Sequence, residues 1–507
     1  MLCGTPYSLN DRDFRRTNHI SKMKRIIIIA CCIAVALQVF STTSTFSTTM
    51  NDNEIKMMVI SDIHLLAPSL HDNGKASQSL AVADMKMVLS SDLIMQRMVD
   101  DVIARKPQLL LIAGDLTFNG SRASHERLLE HLRRLEQAGV HTLVIPGNHD
   151  VNCPYSKSYI GDAPTSVPTV TADEFSQLYA HFGYGESSVR DPNSLSYICE
   201  PVPGLMLLCI DSNRCNENRL AQPVVYHSDG TIKPETLSWM ASQLALARDS
   251  GKKVVAMMHH HLLEHIDGET KLLPNYIVAS HGQVAQVLRQ GGVKAVFTGH
   301  LHITDAVTLD GLTDIATGSA STFPLPMREL SIDAALDTMR VSTFFFDGLE
   351  PELLQQGKSQ VENSAGAIAS IVARKLWPRL SARLGQMKEL MEEQGIDVSR
   401  LPQNDGQLSA MLLKHLREPL AQSLVIVSQG GEDPKQANAI IEAVKQGVRN
   451  MVAEVLPDDD GTAADFLIEN AMPRVEPVLR SALEDINHMG TPKQSTTHDH
   501  SLTLGLD

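Results

Sequence analysis

Five short polar clusters carry the residues of this 507-residue chain whose types and spacing could do chemistry. Each cluster follows an apolar run, and together they supply carboxylate, amide and imidazole groups, which bind transition metals. The clusters are Ser61-Asp62-Ile63-His64, Gly114-Asp115, Gly147-Asn148-His149-Asp150, His259-His260-His261 and Gly299-His300-Leu301-His302. We therefore expect one metal site, built where the fold collects the ends of the apolar runs.

The apolar runs before the clusters predict buried strands, and segments with the apolar spacing of helices lie between them. This alternation is typical of an α/β fold with a mainly parallel sheet, in which ligands gather at the carboxyl ends of the strands. The polar stretch 75–84 is predicted to be a loop. The predicted strands are residues 55–60, 109–113, 142–145, 204–210, 253–258 and 293–298, with residues 313–317 and 339–346 completing a second sheet.

Two of the clusters place a pair of ligand-type residues two positions apart. Asp62 and His64 form one pair, and His300 and His302 form the other. Because the side chains of a strand alternate between its faces, both members of a pair should point to the same side. Asp115 stands alone after its strand, and a single carboxylate can bridge two metals with its two oxygens.

Neighbouring residues in the other two clusters should have different tasks. Asn148 and His149 are adjacent and point in different directions, so one should bind metal and the other should face the substrate. In the histidine triplet, His259 follows the strand directly, and this position favours it over His260 as a ligand.

The order of the motifs D-x-H, G-D, G-N-H-D, H and G-H-x-H, each after an apolar run, resembles the calcineurin-like metallophosphoesterases. That superfamily includes the purple acid phosphatases and the class III cyclic-nucleotide phosphodiesterases. The resemblance covers about residues 55–347, and no motif is missing. It implies an α/β fold, a four-layer α-β-β-α sandwich, and a hydrolase of phosphoric ester bonds whose substrates are small phosphomonoesters or phosphodiesters.

Carried to this sequence, the resemblance implies a dinuclear site that Zn, Mn or Fe would suit. One ion would be held by Asp62, His64 and His302 and the other by Asn148, His259 and His300, with Asp115 bridging and His149 as the catalytic residue over the phosphorus. A hydroxide shared by the two ions would attack the phosphorus in line. Asp150 would support His149, and Asn119 would contact the substrate. His261 and His265 would line the cleft.

A metallophosphoesterase-fold scaffold without activity, with a helical domain as its working surface, is the alternative function. Scaffold relatives typically lose ligands or the catalytic histidine, and none of these is missing here. The formal net charge of −15 and the aromatic content of 4% argue against a nucleic-acid partner.

The first 50 residues predict a leader. Lys22, Lys24 and Arg25 precede the apolar run 26–40, and a Ser/Thr-rich stretch follows at 41–49. This order is typical of a secretory signal, and the apolar run is shorter than the roughly 20 residues of a membrane span. We expect export to the periplasm, the cell envelope or the extracellular space, with the leader either cleaved or kept as a membrane anchor. No membrane span is expected in the mature chain.

Composition divides the remaining chain into three parts. Residues 54–348 form the predicted catalytic domain, in which the proline-punctuated insertion 151–196 shapes access to the site. Residues 350–487 show only helical spacing, which predicts an all-α domain. The polar residues 488–507 predict a disordered tail. Four cysteines could pair after export or remain free thiols, namely Cys153, Cys199, Cys209 and Cys215.

Overall fold

The structure is a computed structural model, and it describes residues 54–185, 188–393, 397–430, 433–457, 461–484 and 501–506. The predicted leader, residues 1–50, lies outside the described residues. Within the described ranges, no helix is both long and apolar enough to cross a membrane. The four cysteines that follow the leader are buried free thiols.

Strands and helices alternate along the first part of the chain, as the sequence predicts. The strands are β1 (Ile55–Ile60), β2 (Leu109–Ile112), β3 (His141–Val144), β4 (Lys157–Ser158), β5 (Thr165–Ser166), β6 (Val189–Arg190), β7 (Tyr197–Val202), β8 (Leu205–Ile210), β9 (Lys253–Met258), β10 (Ala295–Thr298), β11 (Asp305–Leu309), β12 (Leu312–Ala316), β13 (Pro326–Ile332), β14 (Thr338–Phe345) and β15 (Ser501–Gly505). The helices are α1 (Lys75–Ala83), α2 (Ser91–Arg105), α3 (Arg122–Gln137), α4 (Ala172–Leu178), α5 (Pro234–Asp249), α6 (Glu269–Leu272), α7 (His281–Gln290), α8 (Pro351–Asn363), α9 (Ala365–Glu393), α10 (Asp405–Gln429), α11 (Pro434–Val455) and α12 (Thr462–Leu483).

Two mixed sheets form the centre of the catalytic part. The first has the order β15-β14-β13-β1-β2-β3, and the second has the order β11-β12-β10-β9-β8-β7-β6. Strands β1, β2 and β3 are parallel to one another, and so are β8, β9, β10 and β12. The carboxyl ends of β1, β2, β3, β9 and β10 lead directly into the five polar clusters, so the parallel pairing aligns the clusters within each sheet.

The side chains of β9 show how the layers stack. Val255 and Met257 belong to the core that also contains β1, β2, α2 and α3. Val254, Ala256 and Met258 alternate with them and pack in a separate core with α5 and α7. Alternate side chains of a strand face opposite sides of the sheet, so the second sheet has the first sheet on one side and helices on the other. The predicted four-layer α-β-β-α sandwich is therefore confirmed.

Strand β14 corrects the predicted strand assignment. Residues 339–346 were predicted to complete the second sheet, but β14 pairs with β13 in the first sheet. The reason is that β13 returns antiparallel to β1, with Ile332 opposite Ile55, and so carries the chain back to the first sheet. Strand β12, by contrast, lies in the second sheet as predicted.

The end of the chain is ordered where the sequence predicts a disordered tail. Ser501–Gly505 forms β15, which pairs antiparallel with β14 and places Leu504 opposite Met339. Leu502 is buried in the core of the first sheet. The apolar residues alternate with polar ones in this segment, which is the pattern of a half-buried edge strand. The prediction of disorder for 488–507 is wrong for 501–505.

Helix α1 occupies the stretch 75–84, which was predicted to be a loop. Ala76 and Ser77 are buried, and the Ser77 hydroxyl donates a hydrogen bond to the Tyr159 carbonyl at 2.8 Å. This contact crosses 82 positions of sequence, so a local pattern could not reveal it. Tertiary packing commonly decides the conformation of such weakly amphipathic segments.

The chain forms two compact units. One contains Ala365–Gln422 and Lys435–Arg480, and the other contains the two sheets together with α8, Ser423–Pro434 and the residues from Ser481 onward. Helix α8 thus belongs with the sheets, although the sequence places the start of the helical domain at residue 350. In the helical unit, α10 and α11 approach so closely that a Cβ on Gly447 would lie 2.4 Å from Leu416 Cδ2.

Candidate metal centre

The loops after β1 and β2 run side by side into the candidate site. The Asp62 N–H donates to the Gly114 carbonyl at 3.1 Å, and the His64 N–H donates to the Asp115 carbonyl at 2.9 Å. These bonds continue the pairing of β1 with β2 past the ends of both strands. They fix two of the predicted ligand loops relative to each other.

The backbone at the site is left-handed rather than extended. The φ angles are 54° for Asp62, 45° for His64, 47° for Asp115, 70° for His300 and 61° for His302. Such angles cost a non-glycine residue of order 1–3 kcal/mol and cluster at functional sites. Asp62 with His64, and His300 with His302, are therefore brought together by tight left-handed turns and not by the alternation of side chains along an extended strand.

Asp62, His64 and His302 form the first group of ligand-type side chains. His302 Nε2 lies 3.3 Å from Asp62 Oδ1, and His64 Nε2 lies 3.8 Å from the same oxygen. The two imidazole nitrogens are 3.2 Å apart. Asp62 and His64 are completely buried or nearly so. Three ligand atoms thus face one small volume within reach of a single ion.

Asp115, His259 and His300 form the second group, with Asn148 beside it. His259 Nε2 lies 3.5 Å from Asp115 Oδ1 and 3.2 Å from Asn148 Oδ1. His259 Nδ1 donates a hydrogen bond to the Ala113 carbonyl at 2.8 Å, and this bond directs Nε2 to the site. A second-sphere carbonyl of this kind commonly fixes the tautomer of a metal-binding histidine.

Asp115 lies between the two groups. Its Oδ1 faces His259 in the second group, and its Oδ2 is 3.4 Å from His64 Nε2 in the first. Burial opposes ionisation of this carboxyl, but His259, His149 and His64 hold its pKa well below the usual value. A buried carboxylate with one oxygen toward each group is suited to bridge two cations.

The donor set fits metal ions. Asp62 Oδ1 is buried and has no hydrogen-bond partner. Buried polar atoms in folded proteins almost always have a partner, and a carboxylate oxygen that faces imidazole nitrogens is satisfied by a cation. Carboxylate, amide and imidazole donors in this mixture suit Zn, Mn or Fe. The seven predicted ligands are all brought together: Asp62, His64, Asp115, Asn148, His259, His300 and His302.

His149 lies next to both groups and is more accessible than they are. Its side chain is 25% exposed, and its Nε2 is 4.0 Å from Asp115 Oδ2. Its Nδ1 is 2.6 Å from Asn119 Oδ1, and burial lowers the pKa of the ring while Asp115 opposes that effect. Asn119, which the sequence suggests as a substrate contact, thus touches His149 and orients it. His149 could also ligate on distance alone, because it groups with His64 and Asp115.

Asp150 holds two loops together behind His149. Its carboxylate accepts hydrogen bonds from the N–H groups of Gly147, Leu116 and Thr117, and from the Thr117 hydroxyl at 2.8 Å. The loops after β2 and β3 are therefore clamped through one buried side chain. Asp150 supports His149 through the backbone and makes no side-chain contact with it in the described structure.

The histidine triplet divides into one candidate ligand and two structural residues. His259 enters the centre, whereas His260 bonds to the Ser212 hydroxyl at 2.8 Å and to the Ser228 carbonyl at 3.2 Å. His261 turns away, and its Nδ1 is 2.8 Å from Glu269 Oε1. His261 is 0% exposed, so the expectation that it lines the cleft is wrong.

His265 is also buried, and it lies in a separate charge network. Its Nδ1 is 2.7 Å from Asp305 Oδ2, and its Nε2 is 3.2 Å from Asp314 Oδ2. Burial lowers the pKa of His265, but the two carboxylates outweigh it and raise the pKa to about 10. His265 is therefore a buried cation between two anions and does not line the cleft.

This network predicts a loss of stability at alkaline pH. The pKa of His265 rises from 6.5 in the unfolded chain to about 10 on folding, so its contribution is complete below pH 6.5 and is lost as the pH approaches 10. We expect His265→Gln to cost about 3–5 kcal/mol at pH 7, since it removes the cation that faces the buried Asp314 carboxylate. Denaturant unfolding at pH 7 and pH 9.5 measures both effects. An equal decline of wild type and variant across this interval would contradict the assignment.

Gly299 allows the loop after β10 to approach Asp62. A Cβ at this position would lie 2.0 Å from Ser61 Oγ and 2.5 Å from Asp62 Oδ2, and Ser61 Oγ itself donates to that oxygen. We expect Gly299→Ala to displace Asp62, lower metal content and cost about 1–3 kcal/mol of stability by overpacking. Gly282→Ala is the matched control, because no heavy atom lies within 4 Å of a Cβ there. Thermal unfolding and metal analysis of both variants test this.

Lys86 brings a positive charge to the Asp62 side of the site. The N–H of Met87, the next residue, donates to the Ser321 carbonyl at 2.7 Å, and the Ser321 hydroxyl lies 3.4 Å from the Asp62 carbonyl. These contacts connect the backbone beside Lys86 to the loop that carries Asp62. The Lys86 side chain is 13% exposed, and its ammonium pairs with Asp84 at 3.1 Å. Burial is the largest cause that lowers the pKa of His64, and the charge of Lys86 is the second largest. This cation could attract an anionic substrate.

Sequence reasoning missed Lys86 and Tyr226. Tyr226 lies between β8 and α5, and its hydroxyl accepts a hydrogen bond from Asn148 Nδ2 at 2.6 Å. Each is an isolated residue in a segment without a motif, so no spacing pattern marks it. Only the folded chain brings them beside the polar clusters.

Comparison with known proteins identifies the family of the part of the chain that holds the candidate site. Residues 55–304 match the family described as calcineurin-like phosphoesterase. Residues 55–304 are therefore a calcineurin-like phosphoesterase domain, a hydrolase of phosphoric ester bonds.

Among the relatives is the 3',5'-cyclic adenosine monophosphate phosphodiesterase CpdA of Vibrio vulnificus, which is 26% identical over 297 residues. That alignment covers 58% of this chain and 86% of the relative. A cAMP/cGMP dual specificity phosphodiesterase of Mycobacterium tuberculosis is 22% identical over 219 residues, with 43% of this chain and 55% of the relative covered. A solved structure of a dimetal phosphatase from Danio rerio matches with a TM-score of 0.40 and 15% identity, over 59% of this chain and 98% of that one.

Proposed function

We propose that this protein is a phosphodiesterase that binds two metal ions and hydrolyses small phosphodiesters, with cyclic nucleotides as the first substrate class to test. The observation that carries the proposal is the bridging position of Asp115 between the two ligand groups, with His149 at the side of both. The seven predicted ligands and His149 lie together, which supports an enzyme over an inactive scaffold.

The ligand assignment within this proposal follows the two groups. One ion would be held by Asp62, His64 and His302, and the other by Asn148, His259 and His300, with Asp115 shared between them. Ions bound there would supply Lewis acidity toward the phosphoryl oxygens and lower the pKa of a shared water. Zn, Mn and Fe all remain candidates for these positions.

His149 would act on the leaving side of the substrate. Asn119 Oδ1 accepts a hydrogen bond from the Nδ1–H of His149 at 2.6 Å, which fixes the ring plane and leaves Nε2 facing the site. A second proton on Nε2 makes the ring an imidazolium, which stabilises charge on the phosphoryl oxygens and can protonate the leaving oxygen. Lys86 would add attraction for the anionic substrate without touching the ligands.

Two relatives support the substrate class. The Vibrio vulnificus and Mycobacterium tuberculosis proteins are named as cyclic-nucleotide phosphodiesterases, at identities of 26% and 22%. Their names suggest cyclic AMP as the first substrate to assay. The seven ligands and His149 do not by themselves separate diesters from monoesters, so the assay must compare both.

The test is an assay of the purified chain, loaded in turn with Mn, Zn and Fe, on cyclic AMP and on p-nitrophenyl phosphate. We expect metal-dependent hydrolysis of cyclic AMP with a kcat/KM at least about tenfold above that for the monoester, a difference of about 1.4 kcal/mol. Chelation should abolish the activity. Preference for the monoester would change the substrate class, and no hydrolysis with any metal would favour the scaffold function.

We also propose that the chain is exported. The support is the basic triplet Lys22, Lys24 and Arg25 before the apolar run 26–40, as described above. Fractionation of cells that produce the full chain tests this, and recovery of all the protein from the cytosol would contradict it.

A further inference from the structure

Two tyrosines stand in line beside the candidate site. The Tyr226 ring lies 6.1 Å from the His149 ring, centre to centre, and its hydroxyl accepts a hydrogen bond from Asn148 Nδ2. Tyr155 packs edge to face against Tyr226, with 5.2 Å between ring centres and 71° between ring planes. The pair, which we call the tyrosine wall, leads from the reacting groups toward solvent.

The outer ring of the wall is exposed although the segment around it is tightly folded. Tyr155 is 46% exposed, whereas Cys153 two positions before it is 1% exposed. The Asn152 N–H donates to the Val170 carbonyl at 2.9 Å, and the Val167 N–H donates to the Ser156 carbonyl at 3.1 Å. An aromatic ring held out by a fixed backbone offers a stacking surface at low cost in conformational entropy.

We propose that the tyrosine wall is the subsite for a planar aromatic group of the substrate, namely the base of a cyclic nucleotide. The inference rests on the proposed phosphodiesterase function and names the substrate feature that the metal centre leaves open. In a cyclic nucleotide one sugar separates the phosphate from the base, and here one ring separates His149 from Tyr155. Stacking of a base on an aromatic ring is worth about 1–3 kcal/mol and does not depend on which base is present.

The distribution of charge around the site also fits a nucleotide whose base lies on the tyrosine wall. The wall presents two phenol rings and no charged side chain. The cationic side chain of Lys86 lies instead on the Asp62 side of the site, where the Met87 N–H donates to the Ser321 carbonyl and the Ser321 hydroxyl reaches the Asp62 carbonyl. The site therefore offers cations to the phosphate and a neutral aromatic surface to the remainder of the substrate.

Tyr155 is the residue to change, because Tyr226 has a second task. The Tyr226 hydroxyl holds the Asn148 amide so that Oδ1 faces His259 at 3.2 Å, and its loss would disturb a predicted metal ligand. Tyr155 touches neither ligand group in the described structure. Ile160 is the matched control, since it lies in the same insertion and is 52% exposed.

The experiment compares Tyr155→Ala, Tyr155→Phe and Ile160→Ala on two diesters of equal charge, cyclic AMP and glycerophosphoglycerol. We expect Tyr155→Ala to lower kcat/KM for cyclic AMP by about 10–100-fold, from the stacking energy above, and to lower it several-fold less for the substrate without a base. Tyr155→Phe keeps the ring and should stay within about twofold of wild type, as should Ile160→Ala. Calorimetric binding of AMP should weaken in parallel in Tyr155→Ala.

The outcomes separate this inference from the function on which it rests. A wild-type protein that hydrolyses neither diester with any metal overturns the proposed function. A wild-type protein that hydrolyses cyclic AMP, with Tyr155→Ala losing equally on both diesters or on neither, overturns the tyrosine wall alone. Circular dichroism of each variant shows whether a loss reflects unfolding, and the Phe variant then decides whether the ring matters.

Discussion

Replacing His149 with alanine is expected to lower kcat by about 10²–10⁴-fold, which is the usual contribution of a positioned acid or base. The reason is that Nε2 is the accessible imidazole nitrogen beside Asp115, at 4.0 Å, while Nδ1 is held by Asn119. Metal content should stay at the wild-type value, because the two ligand groups remain complete. Steady-state kinetics on cyclic AMP, together with the metal-to-protein ratio, measures both quantities.

Two further variants sharpen this prediction. Asn119→Ala leaves the His149 imidazole in place but removes the acceptor that orients it, so a smaller loss of kcat is expected. His141→Ala is the matched control, since His141 is exposed at the amino end of β3, and the other end of this strand leads to the site. If His149→Ala lost metal as well as activity, His149 would be a ligand, as its grouping with His64 and Asp115 would permit.

Replacing Asp115 with asparagine is expected to weaken both metal sites together. Asparagine has the same shape but has only one carbonyl oxygen and no charge, so it cannot face both groups as the carboxylate does at 3.4 and 3.5 Å. Loss of second-sphere partners alone typically costs 10–100-fold in metal affinity, so we expect more than about 100-fold for each ion. Metal analysis after dialysis against a weak chelator gives the affinities.

His300→Ala is the comparison variant that tests whether Asp115 is shared by both ions. His300 belongs to the second group only, so this variant should lose one ion and keep the other. Asp100→Asn, an exposed change on α2, controls for the charge. Retention of one full equivalent of metal in Asp115→Asn would show that Asp115 serves a single ion, and the assignment of a shared ligand would then be wrong.

The sequence predicts the seven candidate ligands because each one follows a strand whose apolar run is visible locally. The backbone geometry that brings the paired ligands together nevertheless differs from the extended strand that their spacing predicts. Asp62 and His64 were expected to share a face by strand alternation, but both have φ angles near 50° and meet through left-handed turns. The predicted ligands are still the correct residues, because the turns that bring them together begin where the predicted strands end.

Features that depend on contacts between distant segments could not be predicted in this way. The place of β14 follows from the return of β13 beside β1, and Tyr226 reaches Asn148 across 78 positions of sequence. His265 illustrates the same limit, because it lies in the loop after β9, whereas its partners Asp305 and Asp314 lie on β11 and β12. Local periodicity carries information about which face is buried but none about which segment covers it.

Strand β15 has a consequence for the order in which the protein is made and folded. The first sheet receives its outer strand from residues 501–505, which leave the ribosome after the whole helical unit. Until β15 has been synthesised, the backbone N–H and C=O groups on the outer edge of β14 have no partner strand, and such unpaired edges can pair with other chains. The helical unit is an insertion within the catalytic unit rather than an appendix to it. A chain that ends at residue 484 should consequently aggregate more readily than the full chain while keeping every candidate ligand.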